Sequence, residues 1–189
     1  MRVIAGTAKG RKLVAPKGIF PTRPVLDKVK GAIFNILFDV TDLTVLDLFA
    51  GTGAIGIEAL SRGAKRAVFV DNNRVALASL KKNIQSTGFE NSSRVIDAHV
   101  ARAIKMLQRR EEKFDLIFID PPYEKNLVNT TLSQLAETSI FQKDAIIIIE
   151  HSPKEMVEPV KAFALTETRK YGQTRISFLK PSQQEQTDG

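Results

Sequence analysis

The chain of 189 residues carries a net charge of +7, with 43% hydrophobic and 26% charged residues. These proportions are ordinary for one globular domain, and no apolar run is near the length of a membrane span. Cysteine is absent, which excludes a disulfide framework, a thiolate metal site and a cysteine nucleophile. The two histidines stand far apart in the sequence, so we expect no structural metal. The N-terminus MRVIAGTAKG has no secretory apolar region, so we expect a cytoplasmic protein, and we expect it to be a monomer.

The stretch of residues 1–30 holds all of the excess charge. It contains eight basic residues and one acidic residue, whereas the rest of the chain is neutral. Such a segment is either a solvated, solubilising tail or an arm that contacts nucleic-acid phosphates. Two short strands, Arg2–Ala5 and Lys12–Ala15, are predicted around a Gly/Lys turn. Residues 1–20 are therefore predicted to form a small basic β-hairpin.

A loop and a helix are predicted next, over residues 18–40. The loop is marked by prolines at Pro21 and Pro24. From Val25 to Val40 the apolar residues recur three and four positions apart, which is typical of a helix with one apolar stripe. Pro24 suits the first helical turn, where its missing N–H costs nothing.

From Thr44 onward, strand-length apolar runs alternate with helical patterns. The predicted strands are Thr44–Leu48, Ala67–Val70, Arg94–Ile96, Phe114–Ile119 and Ala145–Glu150. The predicted helices are Ala54–Ser61, Arg74–Ser86, Val100–Arg109, Val128–Glu137 and a short segment near Lys154–Pro159. The runs on either side of Tyr171–Gln173 are typical of an antiparallel hairpin.

This order of elements predicts an α/β domain over residues 21–180. Because strand–helix alternation places successive strands parallel, we expect a Rossmann-like, doubly wound, mostly parallel seven-stranded sheet. The sheet would end in a C-terminal antiparallel hairpin, and the small basic β-hairpin would precede it. The last residues, 181–189, are polar and are predicted to be a disordered tail.

A glycine loop follows the first predicted strand, in LDLFAGTGAIGIEAL. The letters GTGAIG at Gly51–Gly56 fit G-x-G-x-x-G, and Asp71 follows Gly51 by 20 positions, which is the dinucleotide-binding fingerprint. A glycine loop lets the N–H groups at a helix N-terminus approach a ligand. Asp47 precedes the loop, where a carboxylate is awkward beside a pyrophosphate but suits an ammonium or sulfonium group. S-adenosylmethionine (SAM) carries both groups and no phosphate, so it is favoured over NAD.

Two further acids end the second and third predicted strands. Asp71 is expected to accept hydrogen bonds from ribose hydroxyls, and Asp97 from the adenine amine, with the Ala98 N–H nearby. Each acid has a plainer interpretation as the cap of the helix that follows it. The joint placement of Asp47, Asp71 and Asp97 at three successive strand ends favours a nucleotide-like ligand.

The tetrapeptide DPPY, Asp120–Tyr123, follows the fourth predicted strand. Ligands of open parallel sheets bind at the carboxyl ends of the strands. Two consecutive prolines make the backbone rigid and leave its carbonyl groups without local N–H donors. Asp120 adds a carboxylate acceptor and Tyr123 an aromatic face, which together suit a flat base with an exocyclic amine. The plainer interpretation is a rigid turn with a surface tyrosine.

Methyl transfer to such an amine needs positioning more than a strong base. The lone pair of the amine is delocalised into the ring, and two acceptors on its N–H bonds can hold it facing a methyl donor. The amine becomes strongly acidic only as it is alkylated, so Asp120 does not need a raised pKa to take the proton. Positioning and electrostatics would therefore carry most of the rate.

Five segments, taken in order, carry a family resemblance. They are MRVIAGTAKGRKL, TRPVLDKVKGAIFNIL, LDLFAGTGAIGIEALSRGA, IDPPY and YGQTRISFLK, and they span residues 1 to about 180. The glycine loop and DPPY resemble class I SAM-dependent methyltransferases that act on exocyclic amines. The whole set resembles the RsmD family, whose members methylate N2 of a guanine in 16S ribosomal RNA of the small subunit.

The resemblance implies that SAM is the cofactor and that the partner is 16S rRNA in a small ribosomal subunit or an assembly intermediate. The residues that would hold the target guanine are Asp120, Pro121, Pro122 and Tyr123. Those that would contact the cofactor are Asp47, Phe49, Gly51, Gly53, Asp71, Asn72, Asp97, Ala98, Thr22 and Asn35. Those that would contact RNA are Arg2, Lys9, Arg11, Lys12 and Arg23. The Phe34–Asn35 region would help to close the cofactor pocket.

The chain departs from the family pattern in its first helix. The family has an Arg/Glu-bearing helix of the type DRVREALFN, whereas this chain has DKVKGAIFN with Gly31 in the interior. No carboxylate role can therefore be assigned at position 31. Gly31 should weaken the helix by roughly 1 kcal/mol relative to alanine.

Three alternative functions stay open. One is an amino-methyltransferase that acts on adenine N6, or another base amine, of RNA or DNA, because DPPY does not select the base. Another is an NAD-dependent oxidoreductase, against which Asp47 and DPPY both count. The third is a non-catalytic RNA-binding module that has kept the fold.

Overall fold

Five α-helices and seven β-strands make up the part of the chain that this computed structural model describes, residues 1–16, 24–123 and 126–182. The helices are α1 (Pro24–Leu37), α2 (Ala54–Ser61), α3 (Arg74–Thr87), α4 (Val100–Arg109) and α5 (Leu127–Ala136). The strands are β1 (Thr44–Leu48), β2 (Arg66–Asp71), β3 (Ser93–Asp97), β4 (Phe114–Ile119), β5 (Phe141–His151), β6 (Phe163–Tyr171) and β7 (Thr174–Pro181). None of the described helices is long and apolar enough to cross a membrane.

All seven strands form one sheet in the order β3-β2-β1-β4-β5-β7-β6. The strands from β3 to β5 are parallel, and β7 runs antiparallel to both β5 and β6. The strand order reverses between β1 and β4, so the chain leaves these neighbouring strands in opposite directions. Ligands bind at such a switch point, outside the carboxyl ends of the strands. The predicted α/β fold with a C-terminal antiparallel hairpin is confirmed.

Two apolar cores cover the two faces of the sheet. One packs α1, α2 and α3 against the sheet, with Ile33, Ile57 and Leu80 in its centre. The other packs α4 and α5 against the opposite face through residues such as Ile104 and Leu132. Because both faces are covered, the central strands are compact and mostly apolar, as the sequence predicts. This packing holds the carboxyl ends of the parallel strands in fixed positions.

The short helix predicted near Lys154–Pro159 is wrong, because this segment is a turn followed by irregular chain. The side-chain amide of Asn129, on α5, forms hydrogen bonds with backbone groups that would otherwise bond to one another within a helix. It donates to the Met156 carbonyl at 2.9 Å and accepts from the Glu158 N–H at 3.0 Å. The ring of His151 further engages the carbonyl of Glu155 at 2.8 Å.

Two predicted boundaries also differ from the structure. The apolar stripe predicts a helix to Val40, but α1 ends at Leu37 and Phe38 takes a left-handed φ of 60°. Val40 is nevertheless buried, so the stripe identifies its burial but not its conformation. At the other end, β7 includes Pro181, which the sequence assigns to a disordered tail. Residues 183–189 of that tail lie outside the described part of the chain.

The two arms of the basic N-terminal segment, residues 1–16, pair antiparallel as predicted, but over one bridge, Arg2 to Lys12, and not over the full length of the predicted strands. Backbone hydrogen bonds such as that from the Val3 N–H to the Arg11 carbonyl, at 3.0 Å, join the arms. The N–H groups of Ile4 and Ala5 donate to the side chain of Glu58 on α2. The segment is thereby packed onto the domain, and Val3 contributes to the same core as α2.

Candidate active site

The glycine loop joins β1 to α2 at the switch point of the sheet. Gly51 and Gly53 have φ values of 55° and 78°, which favour glycine. A Cβ on Gly53 would lie 2.3 Å from Cδ1 of Leu80, so this position also needs glycine for packing. The residue before the loop, Phe49, is half-buried and takes a φ of 64° without being glycine. The chain therefore leaves β1 through a sharply turned backbone that packs directly on α3.

Two of the predicted acids hold this loop in place. The Gly51 N–H donates to Oδ2 of Asp71 at 2.7 Å, and the Gly56 N–H donates to Oδ2 of Asp47 at 3.0 Å. Asp71 ends β2 and Asp47 lies within β1, so the loop is tied to two neighbouring strands. The 20-residue spacing between Gly51 and Asp71 thus has a structural role in addition to the predicted contact with ribose.

Asp47 is a buried carboxyl group whose environment favours a cationic partner. Its exposure is 3%, and burial raises its pKa to about 7, a rise that the Gly56 N–H opposes and the nearby Asp71 charge increases. Within the described residues, no ion pair includes Asp47. A positive charge beside this carboxyl would favour its ionised form. The site therefore fits the ammonium and sulfonium groups of SAM and disfavours a pyrophosphate.

Asp71 and Asp97 are aligned across β2 and β3, and neither caps a helix. The parallel register pairs these two residues directly. The cap of α3 is the Asn73 side chain, and no side chain caps α4, so the capping interpretation is wrong for both acids. The Ala98 N–H donates to the Asp71 carbonyl at 3.1 Å, so it is already occupied. Asn72 is exposed, and its amide contacts a ring nitrogen of His99 at 2.9 Å.

The DPPY tetrapeptide lies directly after β4, beside the end of β1. The register pairs Leu48 with Ile119, and Asp120 is the next residue along the chain, directly after β4. Pro121 is buried, whereas Asp120, Pro122 and Tyr123 are exposed. The predicted acceptor and aromatic face are therefore available at the carboxyl edge of the sheet, on the strand next to Asp47.

The protein around the Asp120 carboxyl raises its pKa well above the usual value. Burial among neighbouring protein atoms is the largest cause, followed by the charges of Glu150 and Asp47. The surface of Asp120 is nevertheless exposed, and water in front of the carboxyl weakens this effect. A base that covers the carboxyl would exclude this water and restore the rise in the pKa of Asp120. Asp120 is therefore suited to accept a proton late in a reaction, when a covered amine becomes acidic.

Sequence reasoning missed two residues that position Tyr123. The Tyr123 hydroxyl lies 2.8 Å from Oγ1 of Thr174 and donates to Oε1 of Glu150 at 3.3 Å. Burial is the main cause that raises the Tyr123 pKa to about 12, so this hydroxyl stays protonated. Glu150 has a sequence signal, because it follows the apolar run AIIII of the strand next to DPPY. Thr174 has none, since β7 reaches β5 only through the antiparallel hairpin.

The predicted RNA-binding residues Arg2, Lys9, Arg11 and Lys12 are all exposed on the N-terminal segment. That segment is fixed to the glycine loop by Asn83, a fully buried residue on α3. The Asn83 amide bonds to both backbone groups of Val14 and donates to the Thr52 carbonyl, at 2.7–3.0 Å. The basic surface and the candidate cofactor loop therefore belong to one rigid unit.

Glu58 is the second anchor of the N-terminal segment. It is 0% exposed, and it accepts from Ile4 N–H at 2.8 Å, Ala5 N–H at 3.0 Å and Arg62 Nε at 2.8 Å. Lys30 Nζ lies 3.1 Å from the same carboxylate. These groups come from the N-terminal segment, α1 and the end of α2, so one carboxylate joins three parts of the chain.

The remaining predicted contacts lie on or before α1. Phe34 is buried against Phe118, with ring centroids 6.1 Å apart, and the Arg62 guanidinium lies over its ring. It is thus a core residue, and Asn35 is the exposed member of the pair predicted to close the pocket. Thr22 and Arg23, predicted to contact the cofactor and RNA, lie outside the described residues.

Comparison with known proteins identifies the family. The family model described as Conserved hypothetical protein 95 matches residues 1–180. The chain is 30% identical over 190 residues to Ribosomal RNA small subunit methyltransferase D of Escherichia coli strain K12, covering all of this chain and 93% of that protein. This chain belongs to the RsmD family.

Other members and structures agree with this assignment. YlbH of Bacillus subtilis is 38% identical over 182 residues, which cover 95% of this chain and 98% of YlbH. The solved structure of yhhF from Escherichia coli superposes with a TM-score of 0.83 at 26% identity, covering 97% of this chain and 99% of that one. The resemblance found in the sequence is confirmed. The RsmD family is a family of methyltransferases, and SAM is the cofactor that fits the glycine loop and Asp47.

Proposed function

We propose that this protein transfers the methyl group of SAM to the exocyclic N2 amine of a guanine in 16S rRNA of the small ribosomal subunit. One observation carries this proposal: the DPPY tetrapeptide ends the strand beside β1, whose Asp47 and glycine loop suit a cationic nucleoside. An acceptor for an amine and a site for a methyl donor thus share one edge of the sheet. The E. coli relative is named a small-subunit rRNA methyltransferase, which supports rRNA as the substrate.

The cofactor side of the site would use the glycine loop and the ends of β1, β2 and β3. SAM supplies an electrophilic methyl group on a sulfonium. Asp47, with Gly51 and Gly53, would face the methionine moiety; Asp71 would keep a lone pair for a ribose hydroxyl while it holds Gly51. Asp97 would meet the adenine amine. The neighbours that complete this side are Phe49, Asn72, Ala98, Asn35 and Thr22.

The target side would use the four residues of DPPY. The Asp120 carboxylate and the Pro121 carbonyl accept from the two N–H bonds of the amine and hold its lone pair towards the methyl group. Tyr123 offers its ring to the base, and its hydroxyl bonds to Thr174 and Glu150 hold that ring in place. Pro122 makes the turn rigid. When the amine is alkylated it becomes acidic, and Asp120, whose pKa is raised, accepts its proton.

The RNA side would use basic residues that precede α1. Arg2, Lys9, Arg11, Lys12 and Arg23 would neutralise phosphates of the ribosomal RNA. We infer that the substrate is an assembled subunit or assembly intermediate, because the E. coli relative is named for the small subunit, and that the protein acts as a monomer in the cytoplasm. Equal turnover on protein-free 16S rRNA and on subunits would contradict this inference.

The test uses methyl-labelled SAM with small subunits from cells that lack this enzyme. The labelled RNA is digested to nucleosides, which are then separated. Label in N2-methylguanosine is the expected result. Label in another base amine would support an amino-methyltransferase but contradict guanine N2 as the target. Absence of SAM binding would contradict the methyltransferase function altogether.

A pair of variants tests the assignment of roles. Asp120→Asn should lower kcat by about a hundredfold or more, because the amide cannot take the proton, while SAM affinity stays unchanged. Asp144→Asn is the matched control, since Asp144 is exposed near the start of β5, at the opposite end of the strands. If Asp120→Asn abolished SAM binding as well, the division between cofactor and target residues would be wrong.

A further inference from the structure

Glu150 lies at the same edge of the sheet as Asp120, on the neighbouring strand. β4 and β5 are parallel, and their register pairs Ile119 with Ile149. The next residue along the chain is an acid in both cases, Asp120 directly after β4 and Glu150 within β5. Adjacent parallel strands are about 4.8 Å apart, so one purine can meet both carboxyl groups.

The described hydrogen-bond partner of the Glu150 side chain is the Tyr123 hydroxyl of the candidate target site. Oε1 of Glu150 accepts from the Tyr123 hydroxyl at 3.3 Å, and that hydroxyl also lies 2.8 Å from Oγ1 of Thr174. The Glu150 carboxyl group therefore lies beside the hydroxyl end of the Tyr123 ring, whose face is proposed to stack on the base. The proposed handling of the amine uses Asp120 and Pro121 and leaves the function of Glu150 unassigned.

A second carboxylate beside the amine acceptor fits the chemistry of guanine. On the Watson–Crick edge of guanine the N1–H donor is adjacent to the N2 amine. Enzymes that take a base out of its stack recognise it through hydrogen bonds to this edge. An ionised carboxylate can only accept hydrogen bonds. It can therefore bind the N1–H of guanine, but it is repelled by the lone pair on N1 of a base such as adenine.

We propose that Glu150 selects guanine, by accepting the N1–H bond of the target base while Asp120 holds the neighbouring N2 amine. This assignment rests on the proposed function and names the residue that makes the site specific. Burial raises the pKa of Glu150, and the charge of Glu150 raises that of Asp120. Donors from the base would stabilise both ionised carboxyl groups, whereas an acceptor at N1 would place its lone pair against a carboxylate oxygen of Glu150.

The test compares two target bases that both carry the reactive amine. Small subunits are reconstituted with semi-synthetic 16S rRNA that holds either guanine or 2-aminopurine at the methylated position. In 2-aminopurine the N2 amine is kept, but N1 is an acceptor. The kcat/KM for each base is measured with the wild type and with Glu150→Gln, and the affinity for SAM is measured in parallel. Glu137→Gln is the control, because Glu137 is exposed at the end of α5.

We expect Glu150→Gln to reduce the preference for guanine over 2-aminopurine by about tenfold or more, because the glutamine amide can donate to N1. The control should keep the wild-type preference, and SAM affinity should not change. An equal loss of kcat/KM for both bases would show that Glu150 is only structural and would overturn the assignment, as would an unchanged preference. A wild type that forms no N2-methylguanosine from the guanine subunits would instead remove the proposed function, and this assignment with it.

Discussion

Replacing Glu58 by glutamine should loosen the N-terminal segment from the domain. The side chain is fully buried, and it accepts hydrogen bonds from the N–H groups of Ile4 and Ala5, one on each carboxylate oxygen. It also neutralises Lys30, which is 3% exposed, and pairs with Arg62. Glutamine keeps the shape, but its amide turns an N–H donor towards one backbone N–H and leaves Lys30 without a counter-charge.

The expected cost follows from the burial of these groups. Removing one partner of a buried ion pair costs about 3–5 kcal/mol, because the remaining charge stays uncompensated. Since glutamine keeps one acceptor and fills the same volume, we expect the lower end, about 3 kcal/mol. In a chain of this size each kcal/mol lowers Tm by about 2–4 °C, so Tm should fall by about 6–12 °C.

The assay is urea unfolding followed by far-UV circular dichroism, with amide hydrogen exchange at Ile4 and Ala5 as the local measurement. Glu112→Gln is the matched control, because the arginine partners of Glu112 are 31–41% exposed and the loss should be about 1 kcal/mol or less. If Glu58→Gln cost no more than this control, or if exchange at Ile4 and Ala5 did not accelerate, the argument that Glu58 anchors the segment would be refuted.

The remaining predictions concern one glycine, one buried acid and the basic surface. Gly31→Ala should raise the free energy of unfolding by about 0.5–1 kcal/mol, measured by urea unfolding, because α1 gains a helix former and the new Cβ would lie 3.8 Å from Ile4 Cδ1, an ordinary contact. The affinity for SAM should increase as pH rises through about 7, where Asp47 ionises, and calorimetry with Asp47→Asn should show a flatter dependence than the wild type. Arg11→Ala and Lys12→Ala, both at exposed positions, should each make the negative slope of log association constant for rRNA against log salt concentration less steep. The change should be about 0.7–0.9 in filter-binding titrations.

The predictions on Gly31 and on the basic surface each have a control and a contrary result. Gly56→Ala should destabilise the protein, because its Cβ would lie 2.3 Å from Phe69 Cε1; a destabilised Gly31→Ala variant would show that position 31 needs glycine. Lys143→Ala, exposed near the start of β5, should leave the salt slope unchanged. Equal slopes in all the variants would take the N-terminal segment out of the RNA interface.

The pH dependence of stability gives Asp47 a second test. Its pKa is higher in the folded protein than in the unfolded chain, so its stabilising contribution is complete below about pH 4. That contribution is lost as pH rises through about 7, and its total is at most about 4 kcal/mol. Relative to Asp47→Asn, the wild type should therefore lose stability over this range. A constant difference between the two proteins would contradict the raised pKa.

Much of the fold and part of the candidate site follow from local patterns in the sequence. Strand-length apolar runs that alternate with helical patterns dictate a parallel sheet, because both faces must be covered. In such a sheet the ends of successive strands meet at one edge, so the positions of Asp47, Asp71, Asp97 and Asp120 along the chain are enough to bring them together there. The position of the glycine loop is equally local, since a motif of six residues marks it, whereas its anchors Asp47 and Asp71 come from β1 and β2.

The contacts that only the tertiary structure decided join residues far apart in the chain. Glu150 and Thr174 reach Tyr123 because β7 folds back beside β5, and no short-range pattern records that pairing. The two arms of the N-terminal segment pair at one bridge, and Glu58, far away in the sequence, accepts from the N–H groups of Ile4 and Ala5 because a buried carboxylate needs donors. Local periodicity determined the elements and their order, whereas the pairing of buried polar groups determined which residues meet at the site.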